Sequence, residues 1–143
     1  MFIGEYIHTV DDKKRISLPS RFRKDVGKKV VVTRGLDSCL FIYSLSEWKR
    51  VAEELGRGWT KSDQRGIHRF IYGGAQEVSV DSVGRILIPD YLKKFADLKN
   101  KVVFAGVHNR IEVWNDQKWS SYRNTMEKRA EELSEKLGNA EAF

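Results

Sequence analysis

Three consecutive basic residues, Lys13, Lys14 and Arg15, follow an aspartate pair near the start of the chain. A lysine ammonium group meets phosphate oxygens as a flexible point charge, whereas the planar arginine guanidinium can form two parallel hydrogen bonds to one partner. Three further basic residues follow just past a proline: Arg21, Arg23 and Lys24. Because each Lys or Arg that neutralises a phosphate releases a counterion, this segment suits a polyanion.

The charge of the chain is unevenly distributed. The net charge of the 143 residues is +6, and all of the excess lies in the first half. Residues 1–72 contain 15 Lys/Arg and 9 Asp/Glu, whereas residues 73–143 contain 11 of each. A local basic surface of this kind attracts polyanions. A solvated basic face without a partner would have the same composition. Composition alone therefore does not distinguish the two, and the sequence motif around the basic cluster is needed.

That motif occurs twice, seventy residues apart. Residues 11–19 and 81–89 both read Asp-x-x-x-Arg-Ile-x-aliphatic-Pro, and the apolar and aromatic segments that follow recur in the same order. Several matching elements in one order are poorly explained by chance, so we interpret the chain as two homologous units, residues 1–73 and 74–143. Each unit alone is too small to bury much core, so we expect the two to pack together or exchange strands.

The two copies differ at the variable positions of the motif. The first has Asp12, Lys13 and Lys14 where the second has Ser82, Val83 and Gly84. The second copy keeps Arg85 as its single basic group, so we assign polyanion contact mainly to the first copy and treat Arg85 as a secondary candidate.

A purely structural role for the motif is the alternative. An aspartate that opens a turn can accept hydrogen bonds from backbone N–H groups, and the arginine could pair back to it across the hairpin. We favour this role for Asp11, Asp81 and Arg85. For Arg15 we favour ligand contact, because Lys13 and Lys14 beside it have no such structural task.

Residues of catalytic types form no recognisable set. His8, His68 and His108 are 60 and 40 residues apart, without the spacing of zinc ligands. Cys39 is the only cysteine and falls in a predicted strand, which favours an inert buried thiol. The Gly73-Gly74 pair lacks the Lys-Ser/Thr of a phosphate loop and reads as a helix stop. We therefore predict no enzymatic activity, no metal, no cofactor and no small-molecule substrate.

A hairpin is predicted to open each unit, with Asp as the turn opener and Gly84 supplying conformational freedom in the second turn. The strands before the turns are residues 6–10 and 77–80, and the strands after them carry two buried aliphatic residues on one face. Pro19 and Pro89 end those strands and are predicted as the first residues of short helices. Gly27 is predicted to close the first helix.

A second strand pair and longer helices complete each unit. The predicted strands are residues 30–33, 40–43, 101–105 and 111–114. The predicted helices are residues 45–55, 62–72 and 116–137, of which the first begins at a Ser-x-x-Glu capping pattern. The fold class is therefore α+β and mainly β.

The doubled motif resembles the MraZ family, and the opening Met1-Phe2-Ile3-Gly4-Glu5-Tyr6 is similar to that family's usual start. The resemblance covers essentially the whole chain. It implies a swapped-hairpin, AbrB-type β-barrel built from two pseudo-symmetric units, with peripheral helices. It also implies a ring-like homo-oligomer, commonly an octamer. The implied function is a transcriptional regulator that binds short direct repeats in the promoter of the bacterial division and cell-wall gene cluster.

Double-stranded DNA is the partner that the resemblance implies, and a two-stranded β-ribbon can enter the major groove. Arg15 is then the candidate for a base contact, with Lys13 and Lys14 on phosphates. The remaining candidates would flank the DNA backbone: Arg21, Arg23 and Lys24.

Two other classes of partner remain open. A basic hairpin also suits RNA, although the aromatic residues that usually stack on RNA bases are missing near it. An antitoxin-like module of AbrB-type fold would bind a protein, but little chain follows Gly138 to form the tail that wraps a toxin. No apolar run approaches the ~20 residues of a membrane helix, and no signal peptide is recognisable. We expect a cytoplasmic, nucleoid-associated protein without a membrane partner.

Overall fold

The computed structural model describes residues 1–138. Its strands are β1 (Phe2–Thr9), β2 (Arg15–Ser17), β3 (Lys29–Arg34), β4 (Leu40–Ser44), β5 (Gln76–Ser79), β6 (Arg85–Leu87), β7 (Lys101–His108) and β8 (Arg110–Asn115). Its helices are α1 (Ser20–Val26), α2 (Leu45–Glu54), α3 (Lys61–Ile71), α4 (Asp90–Phe95) and α5 (Asp116–Leu137). The last five residues of the predicted second unit lie outside the described range. Within that range, no helix is long and apolar enough to cross a membrane.

The predicted strands and helices all form, with differences at their ends. The predicted hairpins do not form, because β1 pairs with β7, β5 with β3 and β2 with β6, so the strands on either side of each Asp-x-x-x-Arg turn pair with the other repeat. β1 begins at Phe2 rather than at residue 6, because β7 extends to His108 and pairs with the added residues. Pro19 and Pro89 occupy the N-cap positions, so α1 and α4 begin one residue later than predicted. Gly27 closes α1 with a φ of +82° as predicted. The polar N-caps Ser44, Thr60 and Asn115 accept hydrogen bonds from the first backbone N–H groups of α2, α3 and α5.

The two repeats exchange strands. The six-stranded sheet has the order β1-β7-β8-β4-β3-β5. The equivalent strands of the two repeats are β1 and β5, β3 and β7, and β4 and β8. Exchanging the members of each pair gives the same order read backwards. β1 pairs with β7 of the other repeat, and β5 pairs with β3. β2 and β6 form a separate two-stranded sheet, here called the ribbon. The mixed α and β class with antiparallel strands is confirmed, whereas both sheets are open and closure into a barrel stays a prediction.

The main core lies between the ribbon and the six-stranded sheet. Equivalent residues of the two repeats fill it in pairs that are almost fully buried: Ile16 with Ile86, Leu18 with Ile88 and Phe22 with Leu92. The opposite face of the large sheet carries a second cluster with Phe41, Trp114 and the fully buried Cys39. Since both repeats contribute strands to one sheet and side chains to one core, neither repeat has a complete core of its own.

Candidate nucleic-acid interface

The first Asp-x-x-x-Arg motif folds into a turn that Asp11 organises. Its Oδ1 atom accepts hydrogen bonds from the backbone N–H groups of Lys13 (2.9 Å) and Arg15 (2.8 Å). Its Oδ2 atom pairs with Nε of Arg15 at 3.1 Å. The carboxylate therefore fixes the backbone of the turn with one oxygen and the direction of the arginine side chain with the other.

The second motif repeats this geometry. Asp81 accepts from the N–H groups of Val83 (3.0 Å) and Arg85 (2.8 Å), and its second oxygen pairs with Nε of Arg85 at 2.8 Å. In both copies the ion pair uses Nε, and within residues 1–138 no hydrogen bond occupies either Nη group. The aspartates therefore have the structural role that was predicted for them. The two Nη groups of each arginine, here called its fork, remain available to a ligand.

The ribbon places the two arginines on one surface. Arg15 lies opposite Leu87, Ile16 opposite Ile86, and Ser17 opposite Arg85. Since strand side chains alternate between faces, the buried isoleucines point to the core and the other four residues share the outer face. Arg15 and Arg85 keep about 30% of their side-chain surface exposed (30% and 32%), and Leu87 is 54% exposed. The outer face of the ribbon is therefore a two-stranded surface with an oriented arginine from each repeat.

The aspartates of both turns are held in the ionised form. Hydrogen bonding from the backbone N–H of Arg15, and then the guanidinium of Arg15, lowers the pKa of Asp11 below its ordinary value of 3.8. Arg85 lowers the pKa of Asp81 in the same way, again chiefly through its backbone N–H. Each turn is therefore stabilised at every pH above the ordinary carboxyl pKa.

The two turns should accordingly stay ordered down to pH 3.8 and open only as the pH falls through the lowered pKa values of Asp11 and Asp81, because protonation removes the charge that the N–H groups bind. A carbon-detected NMR titration of the two carboxyl groups checks this. In Arg15→Ala the pKa of Asp11 should rise only part of the way, since the backbone donors remain. A titration midpoint at or above 3.8 for Asp11 in the wild type would contradict the arrangement.

Lys14 adopts a backbone conformation that favours glycine. Its φ is +63°, and Gly84 at the equivalent position of the second turn has a φ of +84°. A left-handed conformation costs an L-residue about 1–2 kcal/mol. The first turn therefore keeps an exposed lysine at a position where glycine would be more stable, which is the pattern expected when the side chain has a function.

Lys14→Gly should stabilise the fold by roughly 0.5–1 kcal/mol, because the relief of strain exceeds the added chain entropy of glycine. The same change should weaken binding to DNA and reduce the salt-dependence slope by about 0.9, the value for one lost phosphate contact. Urea unfolding and fluorescence anisotropy measure the two effects. Lys14→Ala is the matched control, since it removes the charge but keeps the strain. Equal stability of the glycine and alanine variants would contradict the assignment of strain.

Arg23, which the sequence predicted to flank the DNA backbone, lies against the turn of the second motif. Its Nε donates to the backbone oxygen of Leu18 at 2.9 Å, and its guanidinium lies over Gly84, where an added Cβ would come within 2.3 Å of Nε. Lys93, the repeat equivalent of Arg23, donates from Nζ to the backbone oxygen of Lys14 at 3.4 Å. Each repeat thus places a basic side chain against the turn of the other. Lys93 was missed by sequence reasoning, although its place seventy residues after Arg23 could have revealed it.

The remaining predicted residues divide into two groups. Lys13 and Lys14 are exposed at the first turn, next to Arg15. Arg21 and Lys24 instead border a shallow pocket of about 320 Å³ with Met1 and Ile3, at the start of β1. The structure therefore brings Lys13, Lys14 and the two motif arginines to one region, whereas Arg21 and Lys24 border the pocket at the start of β1.

Side chains with catalytic potential are dispersed. Burial raises the pKa of the Cys39 thiol, and its Sγ donates to the backbone oxygen of Leu36, so the predicted buried thiol is confirmed. His68 hydrogen-bonds the backbone oxygen of Leu55 and packs against Tyr72, whereas His8 packs against Phe104. Across residues 1–138, no group of three or more His, Cys, Asp or Glu side chains could hold a metal ion.

The fold and this surface define a class of protein: a tandem-repeat α and β protein whose halves exchange strands and join their Asp-Arg turns in one ribbon. A family model described as "MraZ protein, putative antitoxin-like" matches the chain twice, at residues 1–70 and 71–139. The chain belongs to the MraZ family. The resemblance inferred from the doubled motif is thereby confirmed.

Several curated relatives align over nearly the full length. One from Caldanaerobacter subterraneus subsp. tengcongensis is 44% identical over 140 residues, which is 97% of this chain and 98% of the relative. One from Acetivibrio thermocellus is 46% identical over 96% of both chains, and one from Clostridium tetani is 45% identical over 94% of this chain and 98% of its own. Each of these relatives is named a transcriptional regulator MraZ.

Proposed function

We propose that this protein is a non-enzymatic transcriptional regulator that binds double-stranded DNA through the outer face of the ribbon. The observation that carries the proposal is the pair of arginine forks, each oriented by its own aspartate, on one exposed two-stranded surface. The names of the relatives support regulation of transcription. Neither a cofactor nor a small-molecule substrate has a part in this function.

In the proposed mechanism the ribbon enters the major groove, which has room for a two-stranded β element. The Asp11–Arg15 pair leaves both Nη groups to reach a guanine edge, where two parallel hydrogen bonds to O6 and N7 distinguish that base. The exposed Lys13 and Lys14 neutralise phosphates and set the register. Leu87, exposed opposite Arg15, offers an apolar contact to a thymine methyl group.

The two repeats contribute unequally in this mechanism. Their Asp-Arg geometry is the same, so Arg85 is equipped for a base contact as Arg15 is. The first turn adds two lysines, whereas the second has Val83 and Gly84 in their place. Because phosphate contacts supply much of the affinity for DNA, the first repeat carries more of the binding free energy. Arg85 adds a second, weaker contact on the same face.

The family resemblance supports a finer account. We infer that the strand-exchanged unit corresponds to the AbrB-type swapped-hairpin barrel and that copies assemble into a ring, in the form of an octamer. A ring with several identical ribbons would engage several direct repeats at once, which raises the effective concentration of each ribbon. The target is the promoter of the division and cell-wall gene cluster, and the protein acts in the cytoplasm at the nucleoid.

An electrophoretic mobility shift on the DNA upstream of the protein's own gene tests the proposal. The wild type should bind this DNA at least about 10³-fold more tightly than a shuffled sequence of equal length at physiological salt. Binding to either DNA should weaken as the salt concentration rises, because counterion release contributes to the affinity for both. Equal affinity for the two DNAs, or tighter binding to RNA of the same sequence, would overturn the proposal.

A further inference from the structure

The outward face of α3 carries basic side chains at one-turn intervals. Lys61, Arg65 and Arg69 are all exposed, and none of them forms an ion pair or a side-chain hydrogen bond with another described residue. At 3.6 residues per turn the three lie within about 80° of one another around the helix and about 6 Å apart along it. We call these three residues the α3 stripe.

Side chains beside the stripe and the end of α3 anchor this helix to the fold. Gln64 donates to the backbone oxygen of Gly56 at 2.8 Å, and His68 hydrogen-bonds that of Leu55. At the end of the helix, Thr33 donates to the backbone oxygen of Ile71 at 2.6 Å. Asp63, the only acidic residue of the helix, lies at least about 120° around it from the stripe. The stripe is therefore positioned rigidly and is not neutralised from its own helix.

Two neighbouring features favour close approach of a partner to this face. Gly66 lies mid-helix, where glycine costs about 1 kcal/mol relative to alanine, yet an added Cβ would meet nothing within 4 Å. No packing within residues 1–138 accounts for this glycine. Trp59, just before the cap of α3, is 54% exposed. A glycine beside the stripe lets a partner approach the helix backbone closely, and the exposed aromatic ring at its start offers an apolar contact.

The stripe is connected to the first Asp-Arg turn through α4. Tyr91 of α4 donates to the backbone oxygen of Gly74, just after α3, at 2.9 Å, and Phe95 packs against Phe70 with ring centroids 5.8 Å apart. Lys93 of the same helix reaches the backbone oxygen of Lys14. A single short helix thus contacts both the end of α3 and the turn proposed to contact DNA.

We propose that the α3 stripe is a second DNA-contacting surface that binds the phosphate backbone flanking the segment read by the ribbon. This inference rests on the proposed function, since it extends the same DNA footprint. A row of unpaired cations at the spacing of successive helical turns matches a row of phosphates along one strand. The contact adds affinity without sequence preference, because phosphates carry no direct sequence information.

The test is a triple variant, Lys61→Gln, Arg65→Gln and Arg69→Gln, measured by fluorescence anisotropy across salt concentrations. Loss of three phosphate contacts should reduce the slope of log Kobs against log[salt] by about 2.7 and weaken binding at least roughly tenfold near 0.1 M salt. Binding to operator and to shuffled DNA should fall by the same factor. Fluorescence of Trp59, isolated by difference from Trp59→Phe, should change on DNA binding in the wild type.

A control triple variant separates local contact from global charge. Lys128→Gln, Arg129→Gln and Lys136→Gln remove the same charge from exposed positions of α5 and should change the slope far less. A stripe variant that behaves like this control, while the wild type still binds its operator specifically, would overturn the inference and leave the proposed function intact. A stripe variant with unchanged DNA binding and an altered oligomer mass would identify a subunit interface and also overturn it. Loss of specific binding by the wild type itself would remove the proposed function.

Discussion

Arg15→Ala should reduce the affinity of the protein for its operator by roughly 5- to 150-fold per bound ribbon, which corresponds to the ~1–3 kcal/mol of a bidentate arginine–guanine contact. The loss should be specific to the operator, and affinity for shuffled DNA should change little. The fold should survive, because Oδ1 of Asp11 still binds the backbone N–H groups of Lys13 and residue 15. Fluorescence anisotropy on both DNAs, with far-UV circular dichroism on the variants, measures these effects.

Two further variants test the roles of the guanidinium group and of the second repeat. Arg15→Lys retains the charge but lacks the planar guanidinium, so specificity for the operator should stay low, as it does in Arg15→Ala. Arg85→Ala should cost less than Arg15→Ala, because the second turn lacks the flanking lysines. Equal losses in the two alanine variants, with folding intact, would show that both repeats read DNA equally. In that case the lysines of the first turn would not decide which repeat binds DNA more tightly.

Ile16→Ala should destabilise the protein by about 2–5 kcal/mol, the usual range for deleting a buried isoleucine side chain. Ile16 is fully buried at the centre of the ribbon, directly opposite Ile86, and lies in the core that the two repeats build together. Its truncation leaves a cavity beneath the outer face that carries Arg15 and Arg85. Urea unfolding at one fixed protein concentration measures the change in the free energy of unfolding.

Ile7→Ala is the matched control for that measurement. Ile7 is 69% exposed on the edge strand β1, so its truncation should cost less than about 1 kcal/mol. Comparable destabilisation by the two substitutions would mean that the ribbon is not anchored through a shared core. A large effect of Ile16→Ala alone would support the account in which the ribbon is anchored through the core that the two repeats share.

Local sequence chemistry predicted much of the fold. The Asp-x-x-x-Arg turns form because an aspartate binds backbone groups two to four residues away, which depends on nothing distant. The capping of α2 by Ser44 and the closure of α1 by Gly27 are equally local. The repeat predicted which residues are equivalent, and the paired core positions follow that equivalence. The left-handed conformation of Lys14 could also have been inferred, because Gly84 occupies its place in the second copy.

The geometry of the candidate interface could not be predicted in the same way. The register that brings Arg15 and Arg85 to one face depends on strand exchange between segments seventy residues apart. Arg23 and Lys93 act on the opposite repeat's turn for the same reason. The sequence predicted the helix α3, but its basic stripe became significant only when the structure showed the three cations without partners among residues 1–138. Long-range pairing, which local propensity does not encode, accounts for these differences.

The most direct test of the central claim is site-specific crosslinking from the outer face of the ribbon. Cys39 is fully buried, so Ser17→Cys introduces a single reactive thiol between Arg15 and Arg85, and Ser120→Cys places one on exposed α5 as a control. Each thiol carries a photoactivated crosslinker and is irradiated with operator DNA. We predict efficient crosslinking from position 17, competed by unlabelled operator, and little from position 120. Crosslinking that is absent at position 17, or equal at both positions, would contradict the assignment of the ribbon as the DNA-binding surface.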